Sequence, residues 1–439
     1  MKNLGKLFNL LLVGMLMTAF VACNNTDDDD DDIEVPPVGG TNTVTGKITQ
    51  NTTWTANNKY VLNGFVYVEN GATLTIEPGT IIKGDKATKG SLIIQPGAKI
   101  IANGTVEKPI VFTSNQPKGQ RAAGDWGGVI ILGNAPVNKT PAVIEGENIS
   151  TYGGTNAADN SGSLKYVRIE FAGIAFETDK EINGLTFGGV GTGTTVDFVQ
   201  VSYSGDDAFE WFGGTVNAKH LISYRTLDDD FDTDNGYSGN VQFGYILRDP
   251  KVADQAGDSN TFESDNDAGG SDATPKTSAK FANVTSTIAA GDLDSKYRSA
   301  MRIRRNSEIS IYNSVFAGAF PTGIELQDKV VDNYKTGKMN IQGVAIQGAV
   351  TPMKGVDTAM FDTAANKNKV YTTVAELLLP SSFNSISARP SAIPQAGSPL
   401  MGNGVTLPAG FEATTYVGAF GATDWTQGWA NFDPQNTDY

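Results

Sequence analysis

Leu74-Thr75-Ile76-Glu77-Pro78-Gly79-Thr80-Ile81-Ile82 and Leu92-Ile93-Ile94-Gln95-Pro96-Gly97-Ala98-Lys99-Ile100 are two copies of one unit, with Pro78 and Pro96 18 residues apart. Each copy reads as a short strand, a Pro-Gly corner and a second strand. Apolar residues alternate with period 2 inside the strands, which selects β over α structure. One such unit cannot bury its apolar face alone. Stacked copies bury a continuous core, which is the logic of a solenoid.

A looser repeat carries the same reading through the middle of the chain. One strand type recurs at Leu164–Phe171, Val196–Tyr203, Ala218–Tyr224, Val241–Leu247, Ala279–Val284, Ile309–Phe316 and Met339–Val344. Each is followed by a shorter segment: Ala175-Phe176-Glu177, Ala208-Phe209-Glu210, Asp230-Phe231-Asp232, Thr261-Phe262-Glu263, Ala300-Met301-Arg302 and Gly323-Ile324-Glu325. The central residues are spaced by 33, 22, 31, 39 and 23. A motif that persists while its spacing varies is what a β-helix with loops of unequal length produces. A propeller needs blades at a regular interval of about 40 residues. The chain is therefore expected to form an all-β, right-handed parallel β-helix over 42–374. Residues 375–439, with fewer repeats, more proline and both Trp425 and Trp429, are expected to cap its last coil.

The N-terminal residues have a different character. Lys2 and Lys6 precede an apolar run from Leu7 to Ala22, a charged n-region and an h-region, so 1–22 reads as a signal peptide. The ending Phe20-Val21-Ala22-Cys23 resembles a bacterial lipobox, which implies that the Cys23 thiol is lipidated and anchors the mature chain. Cys23 is the sole cysteine, so no disulfide is available. Residues 23–41 contain six consecutive aspartates, Asp27 to Asp32, followed by Pro36-Pro37, and read as an extended acidic tether. This stretch resembles the export tag of Bacteroidetes surface lipoproteins, which implies an outer-membrane, cell-surface location.

Several segments together resemble a family of bacterial surface lipoproteins with a parallel β-helix. They are Gly124-Asp125-Trp126-Gly127-Gly128, Gly184-Leu185-Thr186-Phe187-Gly188-Gly189, Asp206-Asp207-Ala208-Phe209-Glu210-Trp211-Phe212-Gly213-Gly214, Asp228-Asp229-Asp230-Phe231-Asp232 and Tyr416-Val417-Gly418-Ala419-Phe420-Gly421. The likeness implies a fold, a location and an accessory role beside an outer-membrane transporter. It brings no catalytic set.

Net charge is −15 and no basic patch is visible, which excludes nucleic acid as a partner. Cations, neutral glycans or a basic protein surface are compatible. Strand alternation places the residue after each core position outward. This gives one column of Glu177, Glu210, Asp232, Glu263, Arg302 and Glu325, and a second of Asp179, Phe212, Asp234, Asp265, Arg304 and Gln327. Carboxylates about 4.8 Å apart on neighbouring coils repel unless compensated. Arg302 and Arg304 can pair with Glu263 and Asp265 below and Glu325 above. Glu210, Asp232, Asp234, Glu263 and Asp265 can instead hold Ca2+, a cation that takes six to eight oxygens, and Asp228, Asp229, Asp230, Asp232, Asp234 and Asn235, with Asp206 and Asp207 one coil away, supply a dense oxygen cluster for it. Raised carboxylate pKa values are the third compensation. Asp230, Asp232, Asp234 and Gly236 do not make an EF-hand, because the glycine is one place late and no closing glutamate follows.

Gly205-Asp206-Asp207 and Arg302-Ile303-Arg304 resemble two short motifs of polygalacturonases, which implies paired aspartates acting on a glycosidic bond. The histidine-glycine motif of those enzymes is missing. The sole histidine, His220, lies on a core strand and suits a structural role, which argues against a histidine triad or a histidine zinc site. Gly188–Gly193 lacks the lysine of a phosphate loop and reads as a turn. Asp206, Asp207, Arg302, Arg304 and Trp211 are the candidate binding residues, the indole as a platform for a sugar ring. Two functions follow. One is a surface-exposed binding or accessory lipoprotein whose partner is a glycan, an outer-membrane transporter or another cell. The other is a calcium-assisted polysaccharide lyase or glycoside hydrolase using Asp206, Asp207, Glu210, Asp232 and Arg302.

Overall fold

The computed structural model describes residues 39–144, 146, 150–177 and 180–439. The signal segment, Cys23, nearly all of the tether and Asp179 lie outside the described residues. From Thr41 onward the chain winds into a right-handed parallel β-helix with three ladders. One ladder stacks the short strands Ser91–Ile94, Val129–Leu132, Leu185–Gly188, Phe209–Phe212, Phe231–Asp234, Ser259–Ser264, Tyr297–Ile303, Thr322–Leu326 and Thr351–Lys354, every rung parallel. Its inward column is Leu185, Phe209, Phe231, Phe262, Met301, Ile324 and Met353, and all but Met353 are sealed from solvent.

The recurrent long strand of the sequence is two strands joined at a corner. Register runs continuously on either side of one residue per coil and skips that residue. Tyr166, Phe198, His220, Phe243, Asn283 and Asn313 occupy these corners with φ between +45° and +64°. This left-handed backbone costs a non-glycine residue about 1 kcal/mol or more. Stacking offsets that cost. Centroid separations are 4.5 Å for Tyr166 on Phe198, 4.1 Å for Phe198 on His220 and 4.8 Å for His220 on Phe243. His220 is thus a structural residue, with Nδ1 2.7 Å from Asp197 Oδ1.

The C-terminal segment departs from expectation. Instead of capping the last coil, 375–439 runs along the flank of the β-helix over the corner residues. Asn313 Nδ2 donates to Val405 O at 2.9 Å, Asn283 Nδ2 to Tyr416 O at 3.1 Å, Gln242 Nε2 to Glu412 O at 2.9 Å and Gln200 Nε2 to Asn431 O at 2.7 Å. Trp429 meets Tyr166 and Phe198 edge-on. The strap ends beside early coils, where Arg121 Nη1 donates to Pro434 O at 2.7 Å. The reason is physical: the outward aromatic stack is an extended apolar surface, and the strap buries it in a second core containing Ile222, Tyr245, Phe420 and Trp429. At the last coil, Phe361 of the short helix Thr358–Phe361 joins the main core.

Candidate acidic site

The short-strand ladder carries the acidic column in the anticipated register from Glu210 onward: Glu210, Asp232, Glu263, Arg302 and Glu325 are successive rungs. Glu177 is not among them. It lies in a small antiparallel pairing of Ala175–Glu177 with Lys180–Glu181, and the residue beneath Glu210 is Thr186. The Ala-Phe-Glu signature misleads because Phe176 packs outside the core against Phe65, at 4.9 Å, leaving Leu185 as the core residue of that coil.

The upper column is neutralised by arginine. Arg302 Nη1 lies 3.1 Å from Glu263 Oε1 and 2.9 Å from Asp258 Oδ2, while Arg304 Nε donates to Asp265 Oδ1 at 2.8 Å and its Nη2 pairs with Glu263. Arg305 adds a bond to Asp265 Oδ2 at 2.7 Å. Glu263 and Asp265, expected as metal ligands, are therefore ion-pair partners. Glu325, expected to meet Arg302 and Arg304, is held instead by Arg298 at 2.9 Å and Lys354 at 2.7 Å, because Arg298, four residues before Arg302 on the same strand, comes within reach.

Trp211 is a core residue and offers no platform to a sugar. Its neighbour Glu210 faces outward, so alternation sends the indole inward, where it is fully buried and stacked on Phe187 at 5.8 Å and Tyr237 at 5.4 Å. Trp126 is buried as well, its Nε1 donating to Glu170 O at 2.8 Å.

The lower column gathers carboxylates without an arginine in register. One oxygen from each of Asp207, Glu210 and Asp232 lies within 4.8 Å of the others, and the same holds for Asp206, Asp207 and Asp228. Asp207 and Asp229 also join neighbouring coils. Asp207 Oδ1 accepts the Asp229 N–H at 2.8 Å, and Asp229 Oδ1 accepts the Asn260 N–H, so each aspartate ties its coil to the next. Glu210 accepts a hydrogen bond from Asn183 Nδ2. Asp234 stands off the cluster, with Oδ1 accepting the Asn235 N–H at 2.6 Å.

The electrostatics of this cluster follow from burial and like charge. Burial, then the neighbouring Asp206, Asp229 and Asp232, pushes Asp207 well above the carboxylate range. Asp232 is raised by burial and by Glu263, Asp265 and Asp234, with Arg304 opposing. Burial together with Asp254 and Glu263 pushes Asp228 up to about 7, and burial chiefly raises Asp234 to about 7. Asp228 Oδ1 and Asp232 Oδ1 are shut off from solvent without a hydrogen-bond donor. Oxygens so placed need a proton or a cation, and an all-carboxylate donor set suits a hard cation such as Ca2+. Asp228 is not among the ligands that strand alternation selects, although the run Asp228-Asp229-Asp230 is plain in the sequence. That run is expected to lie one coil from Asp206 and Asp207, and its loop brings the three carboxylates of Asp206, Asp207 and Asp228 together.

Residues 46–385 match the family model described as a pectate-lyase-like β-helix domain. The chain belongs to that family. The match spans most of the described β-helix, including every residue of the acidic ladder. No curated protein and no solved structure matches the chain. Members of a pectate-lyase-like β-helix family share the coil, and chemistry resides in the site each coil carries.

Proposed function

We propose that the protein is a lipid-anchored, surface-facing binding module that recognises an acidic glycan through a divalent cation. Asp206, Asp207, Glu210, Asp228 and Asp232 are the residues that would hold the cation, with Ca2+ the fitting choice for oxygen-only donors. Bound calcium would supply positive charge and free coordination positions for sugar oxygens. The observation that carries this reading is Asp232 Oδ1, buried without a donor beside the carboxylates of Asp207 and Glu210. The anchor at Cys23 and the acidic tether after it support a place on the outer membrane, next to a glycan or a transporter.

A second reading, a calcium-assisted lyase or glycoside hydrolase, is favoured by the packing of Asp207, Asp228 and Asp232 out of water and against neighbouring carboxylates, which pushes their carboxyls up toward the range of acid/base work. Against it, Arg302 stands three rungs from Glu210, about 14 Å away, and its guanidinium is bound to Asp258 and Glu263.

Incubation of the full chain with acidic and neutral polysaccharides, with calcium and with chelator, separates the two. Retention of an acidic glycan without cleavage, lost with chelator or in Asp232→Asn, is expected. Released oligosaccharide moves the assignment to the enzyme, and calcium-independent retention removes the cation from the mechanism. Cys23→Ala is expected to shift the protein from the membrane to the soluble fraction.

A further inference from the structure

At Tyr203 and Arg225, three residues before Asp206 and Asp228 on the same coils, a cleft of about 490 Å3 opens between the β-helix and the strap. Tyr203, Tyr224 and Arg225 form the wall from the coils; Arg389, Phe432 and Asp433 stand on the wall from the strap. The volume is in the range of small-ligand sites. Tyr203 and Arg225 occupy equivalent places on successive coils, both with left-handed backbone, φ +55° and +58°. Arg225 lies over the Tyr203 ring at 5.0 Å and is oriented by Asp249. Its Nε–H has no acceptor. Across the cleft, Arg389 lies over Phe432 at 5.3 Å and donates to Thr426 Oγ1 at 2.7 Å.

We infer that this cleft is a second binding site, for a neutral, hydroxyl-rich sugar unit, completed only when the strap docks. The ligand class follows from the lining. Half-buried Phe432 offers apolar surface to the C–H face of a ring, while Tyr203, its two faces covered by Phe171 and Arg225, lines the cleft with its edge. Arginine donors and the Asp433 carboxylate offer both hydrogen-bonding signs to vicinal hydroxyls. Three carboxylates face two guanidinium groups: Asp249 sits on Arg225, Asp424 lies 3.9 Å from Arg389, and Asp433 stands at the rim. An anionic ligand therefore gains no net attraction, whereas a neutral one meets no such penalty. This site uses no cation, which separates it from the acidic ladder.

Calorimetric titration of the full chain in chelator tests the proposal, using neutral trisaccharides of glucose, mannose or galactose and, in parallel, trigalacturonate. A neutral trisaccharide is expected to bind in chelator. Arg389→Ala should weaken it at least tenfold, Ser387→Trp, at an exposed position lining the cleft, should block it, and Asp232→Asn should leave it unchanged. The proposal is overturned if only trigalacturonate binds, if nothing binds, or if Arg389→Ala and Ser387→Trp both leave affinity intact. Ser387→Trp adds no buried contact, so it remains decisive if Arg389→Ala loosens the strap. The acidic-glycan reading is judged separately, with calcium present, and can fail without touching this result.

Discussion

The Asp230 carboxylate and the Arg248 guanidinium meet at 2.6 Å with neither side chain exposed. Arg248 also donates to the Asp228 carbonyl at 2.6 Å and the Leu227 carbonyl at 3.2 Å, so one buried cation fixes the backbone that carries the acidic cluster. Removing one partner of such a pair strands a buried charge. Arg248→Met is therefore expected to lower stability by about 3–5 kcal/mol and to weaken calcium binding. Urea denaturation with and without calcium measures both, and an unchanged midpoint would refute the role given to the pair.

The cluster also sets a pH dependence with a definite sign. Asp207, Asp228, Asp232 and Asp234 have folded pKa values above those of unfolded carboxylates, two of them near 7. Stability from the protonated groups is fully present below about pH 4, the unfolded value, and is lost as pH rises through 7. Glu325 runs the other way. Burial raises it, but Arg298, Lys354 and Gln327 hold it far below the usual range, so its contribution is lost in acid. Melting curves of the metal-free chain should show a fall of several degrees between pH 5 and 8. Calcium should abolish that fall, since the cation displaces the protons.

Trp211 separates packing from recognition. Trp211→Ala is expected to cost about 3–5 kcal/mol by opening a cavity between Phe187 and Tyr237, and Trp211→Phe considerably less. Neither should change glycan affinity in the protein that remains folded. Loss of binding in Trp211→Phe at an unaltered melting temperature would return the indole to the ligand site.

The end of the strap is fastened by Tyr439, whose hydroxyl donates to the buried Glu170 at 2.6 Å. Burial pushes Glu170 above the usual carboxylate range, and the Arg168 guanidinium and this hydroxyl offset only part of that rise. Tyr439→Phe leaves that carboxylate short of a donor and is expected to cost about 1–3 kcal/mol. Limited proteolysis should show earlier release of the strap, and identical digestion of both proteins would show that the bond does not hold it.

The register of the acidic ladder is legible from Phe209-Glu210, Phe231-Asp232, Phe262-Glu263 and Met301-Arg302, because a period of two leaves little freedom once the core residue is known. It fails at Phe176-Glu177, where the same letters occur on a hairpin outside the coil. Pairing of Arg302 and Arg304 with Glu263 and Asp265 is legible for the same reason. The part played by Asp258 is not, since it reaches the ladder from a loop whose path no periodicity encodes; Asp228 is legible from the acidic run one coil from Asp206 and Asp207. Residues 166, 198 and 220 look like strand interior in the sequence and turn out to be corners, because an aromatic side chain carries no local sign of a left-handed backbone.

The sequence by itself determined the coil: alternation within strands and a persistent motif with variable spacing admit little besides stacked parallel rungs. Only the tertiary structure decided where the loops and the strap come to rest. That placement depends on burial of the outward aromatic stack and on charges meeting across coils, contacts between residues tens to hundreds of positions apart that no local pattern records.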